Sequence, residues 1–263
     1  MPVPDVPVRR TLGPAPIAAP LGLLQMQSGI IRLGVPELGS VEIEASGIRV
    51  VAPSDTLLDH TWSALGAWAT AQWLMTRGLC VMRGSAVAKD GKALVLLGES
   101  RVGVSVTAAQ LTRHGWRIVS DGLVVINSEG QVLSTGSSVR LDTMVAERLF
   151  ADAPIRRVAS IQDRMEVSLA GHDDAALAFY LGINLRASVQ EISVARTILE
   201  PGELERPPAP LRWSPLLPVG EVIEPPEAPS FVATRPQPRS VDDGPRIGPP
   251  AMAHAILDAI GAL

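Results

Sequence analysis

The residues best suited to chemistry lie in Leu94–Thr107, which reads LVLLGESRVGVSVT. Gly98 and Gly103 bracket Glu99, Ser100, Arg101 and Val102, and Val104 and Ser105 follow directly. This spacing fits the phosphate-binding template G-x-x-x-x-G-K-S/T everywhere except at the lysine, where Val104 stands. In such a loop successive backbone amides and a helix N-terminus surround an anion, and the Ser/Thr hydroxyl holds magnesium. The candidate phosphate-binding set is therefore Gly98, Glu99, Ser100, Arg101, Gly103, Val104 and Ser105. The missing lysine matters, because a charge pair at ~4 Å and an effective dielectric near 20 is worth about 4 kcal/mol. Even half of that is on the order of thirtyfold in affinity. Arg101 within the loop and Arg83 upstream are the cations that could compensate; both also read as ordinary solvated charges.

The elements that must position this loop can be read around it. Leu79–Ala88 is strand-like, and Asp90-Gly91 between two apolar runs predicts a tight hairpin into the strand that ends at Gly98. A short helix is expected over Ser105–His114, closed by Gly115, then a strand over Trp116–Ile126 and a turn over Asn127–Gly130. Upstream, Gln25–Val51 reads as short strands separated by glycines. Ser54 or Asp55 should cap a helix over about Thr56–Thr76 that stops at Gly78. That helix is apolar on two faces (Leu58, Trp62, Leu65, Ala69, Trp73 and Leu57, Ala64, Trp68, Ala71, Met75). Its uncharged run is a little short of the roughly 20 residues a bilayer needs, so it is read as a buried core helix. Downstream, Asp142–Phe150 is read as a helix and Met165–Leu169 as a strand. His172-Asp173-Asp174 is taken as the start of a helix over Ala175–Gly182, and Val189–Leu199 as extended.

Taken in order, the stretch around the loop has a familiar series: Met82-Arg83-Gly84-Ser85-Ala86-Val87, Asp90-Gly91, Gly98–Ser105, Arg113-His114-Gly115 and Val119-Ser120-Asp121-Gly122. Over about Arg77–Ile126 it resembles the catalytic domain of HPr kinase/phosphorylase and related bacterial serine kinases. Their pattern runs L-H-A-S-A-V, a D-G hairpin, G-x-x-x-x-G-K-S, a helix ending in R-x-G, and a strand ending in two aspartates. The resemblance implies a P-loop kinase related to phosphoenolpyruvate carboxykinase, with ATP and Mg2+ as cofactors, that phosphorylates a serine of a protein. It implies a catalytic role for Asp121, and Ser105 and Asp121 as magnesium ligands. The departures fall on chemical positions: Val104 replaces the lysine, Arg83 the histidine and Gly122 the second aspartate. Asp121 in Ser-Asp-Gly also reads as plain turn chemistry.

Composition bounds the rest. The chain has 263 residues, 46% hydrophobic and 19% charged, with net charge −4, which favours a globular protein without affinity for nucleic acid or an anionic membrane. Cys80 is alone, so no disulfide framework or multi-cysteine metal site is expected, and it reads as a small buried hydrophobe. The four histidines show no metal-ligand spacing. The proline-broken N-terminus lacks a signal-like apolar run, which points to a cytoplasmic protein.

The expected fold is α/β with a mixed sheet. Its divisions are a proline-rich arm (1–20), a small α+β region with the Trp-rich helix (21–78), the kinase-like core (79–200) and a second proline-rich arm ending in a helix (201–263). Fourteen of the 23 prolines fall in 201–250, which argues against a sheet core there. Yet Leu211, Trp213, Leu216 and Phe231 punctuate it, so it is expected to lie on the core or on a neighbouring subunit, with Met252–Leu263 docked as a helix. The favoured function is a kinase-derived protein with a degraded nucleotide site, its ATP and Mg2+ binding weak or absent, acting by binding a protein partner. An active serine kinase with a rewired loop is the alternative, and a structural component of a larger assembly the third class. A homo-oligomer stays open.

Overall fold

A computed structural model describes residues 5–13, 23–27, 30–35, 37–98, 102–157, 164–171, 173–186, 191–197, 226–236 and 249–261. The chain begins with β1 (Val8–Leu12), β2 (Leu23–Gln27), β3 (Ile30–Val35), β4 (Gly39–Glu44), β5 (Gly47–Ala52) and α1 (Asp55–Met75). Then come β6 (Cys80–Lys89), β7 (Lys92–Leu97), α2 (Val104–Thr112), β8 (Arg117–Ile126), β9 (Gln131–Leu133) and β10 (Ser138–Asp142). They are followed by α3 (Thr143–Leu149), β11 (Ile155–Arg157), β12 (Arg164–Ser168), β13 (Ala175–Arg186), β14 (Ser193–Thr197), β15 (Ser230–Pro236) and α4 (Pro249–Gly261).

These strands form three sheets, ordered β1-β5-β4-β3-β2, β10-β12-β11 and β14-β15-β13-β7-β6-β8-β9. The expected α/β class with a mixed sheet is present: in the seven-stranded sheet β13 runs parallel to β7 and β15, whereas β6 is antiparallel to β7 and β8. Helix α1 is the hinge of the architecture. Ser54 caps it by accepting from the Leu57 amide (3.3 Å), and Gly78 (φ 80°) turns the chain away after its end. One side of α1 packs on Val41, Ile48 and Val50 of the N-terminal sheet, the other on Val81 and Val125 of the central sheet. A helix pressed between two sheets must be apolar on both faces, and that explains its sequence. No described helix is long and apolar enough to cross a membrane.

The β6–β7 hairpin turns at Asp90 (φ 52°) and Gly91 (φ 74°), both left-handed as a two-residue turn of this type requires. Helices α2 and α4 cover one face of the central sheet, joined in a core with Leu94, Leu96, Leu111, Ile118, Leu181 and Ile183. Asp142 caps α3 by accepting from the Met144 amide (3.1 Å), within the helix expected there.

Four expectations are corrected. Ala175–Gly182, expected helical, lies in β13. Its apolar residues pack on two different cores, Phe179 and Leu181 on one and Leu177 and Tyr180 on the other, so the run shows no alternation to betray a strand. His172-Asp173-Asp174 therefore starts no helix: the Asp174 carboxylate accepts from the Ser134 amide (2.8 Å) and ties down the chain after β9, while His172 lies outside the described residues. The proline-rich 201–250 stretch does supply a sheet strand. Pro229 and Pro236 bracket a proline-free Ser-Phe-Val-Ala-Thr-Arg window, and β15 pairs parallel with β13 and antiparallel with β14. The N-terminal arm likewise gives β1, parallel to β5. Residues 201–225, with most of the apolar side chains expected to dock, lie outside the described residues. Helix α4 does dock, burying Met252, Ala253 and Ile256.

Candidate functional site

Strand β7 buries Ala93 through Leu97 and delivers the chain to Gly98 at the edge of the core. A Cβ placed on Gly98 would lie 2.8 Å from the Ile183 carbonyl oxygen of β13 and 2.7 Å from a Val102 methyl. Glycine is required here by close backbone approach, not by a turn angle. Glu99, Ser100 and Arg101 lie outside the described residues. The chain resumes at Val102, and Gly103 (φ 98°, ψ 23°) starts α2 in the left-handed region, with no side-chain cap and no acid in the first turn. Its carbonyl accepts from the Thr107 amide at 2.8 Å. Strand, glycine-bounded connection and helix thus occur in the expected order.

Val104 lies at the first position of α2, half-buried against the core, and Val102 is buried in the same core. A Val104 methyl is 3.2 Å from where a Gly98 Cβ would sit. Two valines therefore turn hydrocarbon toward the base of the loop. Ser105 follows, half-buried in the first turn.

The polar part of the site lies beside it. In the antiparallel ladders Ser85 of β6 is level with Asp121 of β8 on one side and with Leu96 of β7 on the other. At strand spacings of about 4.8 Å, Asp121 sits roughly 10 Å across from β7, with Gly98 about two residues further along. Helix α2 packs over β6 and β8. Ser85 is fully buried and donates its hydroxyl to Asp121 Oδ1 at 2.5 Å. Asp121 Oδ2 accepts from the Arg140 amide of β10 at 3.0 Å. Both carboxylate oxygens are thereby held, and Asp121 is a positioned group rather than a turn residue. Ser85 lay within the motif that carries the resemblance, and its hydroxyl is what the motif contributes here. The Arg140 amide had no signal in the sequence, because any residue supplies a backbone N–H.

Arg83, two residues from Ser85 on β6, is half-buried and already has an interaction partner, so it is not a spare charge. Gly122 pairs with Gly84 across β8 and β6. Its φ is 85°, and nothing lies within 4 Å of where its Cβ would be, so the site of the second aspartate is open space. Gly84 is the opposite case, since a Cβ there would meet the Leu96 carbonyl oxygen at 2.4 Å. Arg113, in the R-x-G match, donates to the Leu149 carbonyl and covers Phe150, linking the end of α2 to α3. Among the described residues no three His, Cys, Asp or Glu side chains are grouped to hold a metal ion.

The class of protein defined so far is a mixed α/β chain with a glycine-bounded strand–helix connection next to an anchored aspartate. No family model matches the sequence, and no curated protein matches it. Among solved structures the chain is similar to the HPr(Ser) kinase/phosphatase from Coxiella burnetii, with a TM-score of 0.35 and 8% sequence identity. The match covers 69% of this chain and 97% of that one. Roles are not transferred across a likeness of this depth; they rest on the geometry above and on the motif series.

Proposed function

We propose that this is a kinase-derived protein whose nucleotide site has been degraded and which acts by binding a protein partner. The observation that carries the reading is Val104. A phosphate-loop lysine offers a cation to the anion, whereas Val104 and Val102 turn methyl groups toward Gly98 and pack into the core. An anionic oxygen placed against these methyls gives up water without gaining a partner, a loss of kilocalories per mole. Val102 and Val104, the described residues at the base of the loop, therefore do not fit the β and γ phosphates of ATP. Gly122 removes a second carboxylate, which weakens any magnesium site built on Ser105 and Asp121.

The test is a calorimetric titration with ATP and ADP, each with and without Mg2+. Little or no heat at millimolar nucleotide is expected. Ligand at about 100 times its Kd would add ~2.7 kcal/mol of stability, so a clear rise in melting temperature at micromolar ATP would sink the reading. One observation favours the alternative of an active serine kinase. Asp121 is held by two donors in an orientation that a catalytic carboxylate could use, and the start of α2 carries no acid to repel phosphate. That alternative requires Arg101 to supply the lost charge, so Arg101→Ala should abolish whatever anion affinity exists.

A further inference from the structure

We propose that β1 is a docking edge that takes an extended acidic segment of a partner protein by strand addition. The proposal extends the partner-binding half of the reading above but uses no property of the glycine loop. Strand β1 is the outermost strand of the N-terminal sheet, and all five of its residues are exposed. The Pro7 carbonyl accepts from the Ile48 amide (2.8 Å) and the Gly13 amide donates to the Ala52 carbonyl (3.0 Å), so the odd-numbered residues face β5. In a parallel ladder the intervening residues point the other way. The N–H and C=O groups of Val8, Arg10 and Leu12 therefore line an edge that no described strand covers. Among the described residues, two of the three exposed large apolar side chains are on this strand, Val8 at 39% and Leu12 at 59%. An open edge flanked by exposed apolar groups is a template for another strand.

Charge selects the occupant. Across the outer face of the sheet, Arg32, Glu42, Arg49 and Arg9 lie level on β3, β4, β5 and β1. Glu42 is paired with both Arg32 and Arg49, and Arg49 also approaches Glu44 at 3.7 Å. Arg9, next to Arg49, has no ion pair among the described residues, and the Arg49 Nε is buried without an acceptor. On the other face Arg10 is occupied by Asp59 at 2.6 Å. The edge thus presents one cation, Arg9, unpaired among the described residues, on a chain of net charge −4. A second copy is disfavoured: the two-fold antiparallel pairing of β1 with itself that has the greatest overlap centres on Arg10 and sets it against its own image, and a shift by one residue does the same to Arg9. An extended peptide fits if its acids face Arg9 and its apolar residues face Val8 and Leu12.

The probe is a labelled heptapeptide alternating valine and glutamate, titrated into the full chain, with a valine–lysine peptide as control. Only the glutamate peptide should bind, weakening with salt. Amide exchange should slow at Val8, Arg10 and Leu12, the outward-facing positions. Arg9→Glu should weaken binding about fivefold or more. Arg10→Pro, which removes an outward N–H that the β1–β5 ladder does not use, should abolish it with the fold intact. Equal binding of the lysine peptide, no slowing of these amides at millimolar peptide, or concentration-dependent self-association through β1 would each overturn the proposal. ATP titration and peptide titration report separately, so failure of one leaves the other standing.

Discussion

At the end of β7, Val102 and Val104 bring methyl groups to Gly98. Two strands away on the same sheet, Asp121 has both carboxylate oxygens occupied, by the Ser85 hydroxyl and the Arg140 amide. Both regions belong to the central sheet, one at the end of β7 and the other within β8. The first meets the connection with hydrocarbon, and the second has its polar groups satisfied within the fold. The difference teaches that packing alone can fix a glycine-bounded connection, whereas a carboxylate is fixed by donors that folding brings to it. Core packing holds the glycines and valines in place, while only a ligand would hold a lysine there.

The largest test strikes the backbone under the loop. Gly98→Ala should cost about 3 kcal/mol, since a Cβ 2.8 Å from the Ile183 carbonyl forces two strands apart. Urea unfolding checks it, and a loss under 1 kcal/mol would show that the loop is not clamped against β13.

Next comes the anchored carboxylate. Asp121→Ala should cost about 2 kcal/mol, because it leaves the buried Ser85 hydroxyl and the Arg140 amide unpaired. A double-mutant cycle with Ser85→Ala should give coupling near 1 kcal/mol. Additivity would mean that the Ser85–Asp121 bond contributes nothing and that the contrast between the two regions is false.

Val104→Lys sharpens the comparison from the other side. It should cost about 1 kcal/mol, half the worth of a fully buried valine, because Val104 is only half-buried. Phosphate or pyrophosphate affinity should rise on the order of tenfold, the value of roughly 1.4 kcal/mol from one added charge. Unchanged anion affinity in a calorimetric titration would reduce the loop to a connection between strand and helix.

Tyr180, on β13, is the smallest effect and a control remote from either region's chemistry. Its hydroxyl donates to the Pro226 carbonyl at 3.0 Å. Burial pushes the phenol well above its usual range, and the neighbouring Cys80 pushes it further in the same direction. Folding thus holds the phenol neutral while the unfolded chain ionises near about pH 10. Stability from this group is complete below that pH and falls as pH rises above it. Tyr180→Phe should cost about 1 kcal/mol or less at neutral pH and remove this part of the alkaline decline. As Tyr180 is the sole tyrosine, its phenolate absorbance reports directly; ionisation near pH 10 in the folded chain would contradict the burial.

Much of this molecule was determined locally. The Asp90-Gly91 turn, the Ser54 cap, the doubly apolar α1 and the strand–glycine–helix order around Gly98 follow from propensities acting over a few residues, and sequence displays those directly. The absence of the lysine at Val104 was equally plain. Tertiary structure alone decided what no short window encodes. It made Ala175–Gly182 a strand, because apolar residues facing two separate cores erase the alternation that distinguishes strand from helix. It drew Ser230–Pro236 from a proline-rich stretch into the central sheet, because the pairing partners on either side lie far away in the chain. It gave Asp121 its second donor, the Arg140 amide, a group identical at nearly every residue and distinguished only by where folding places it.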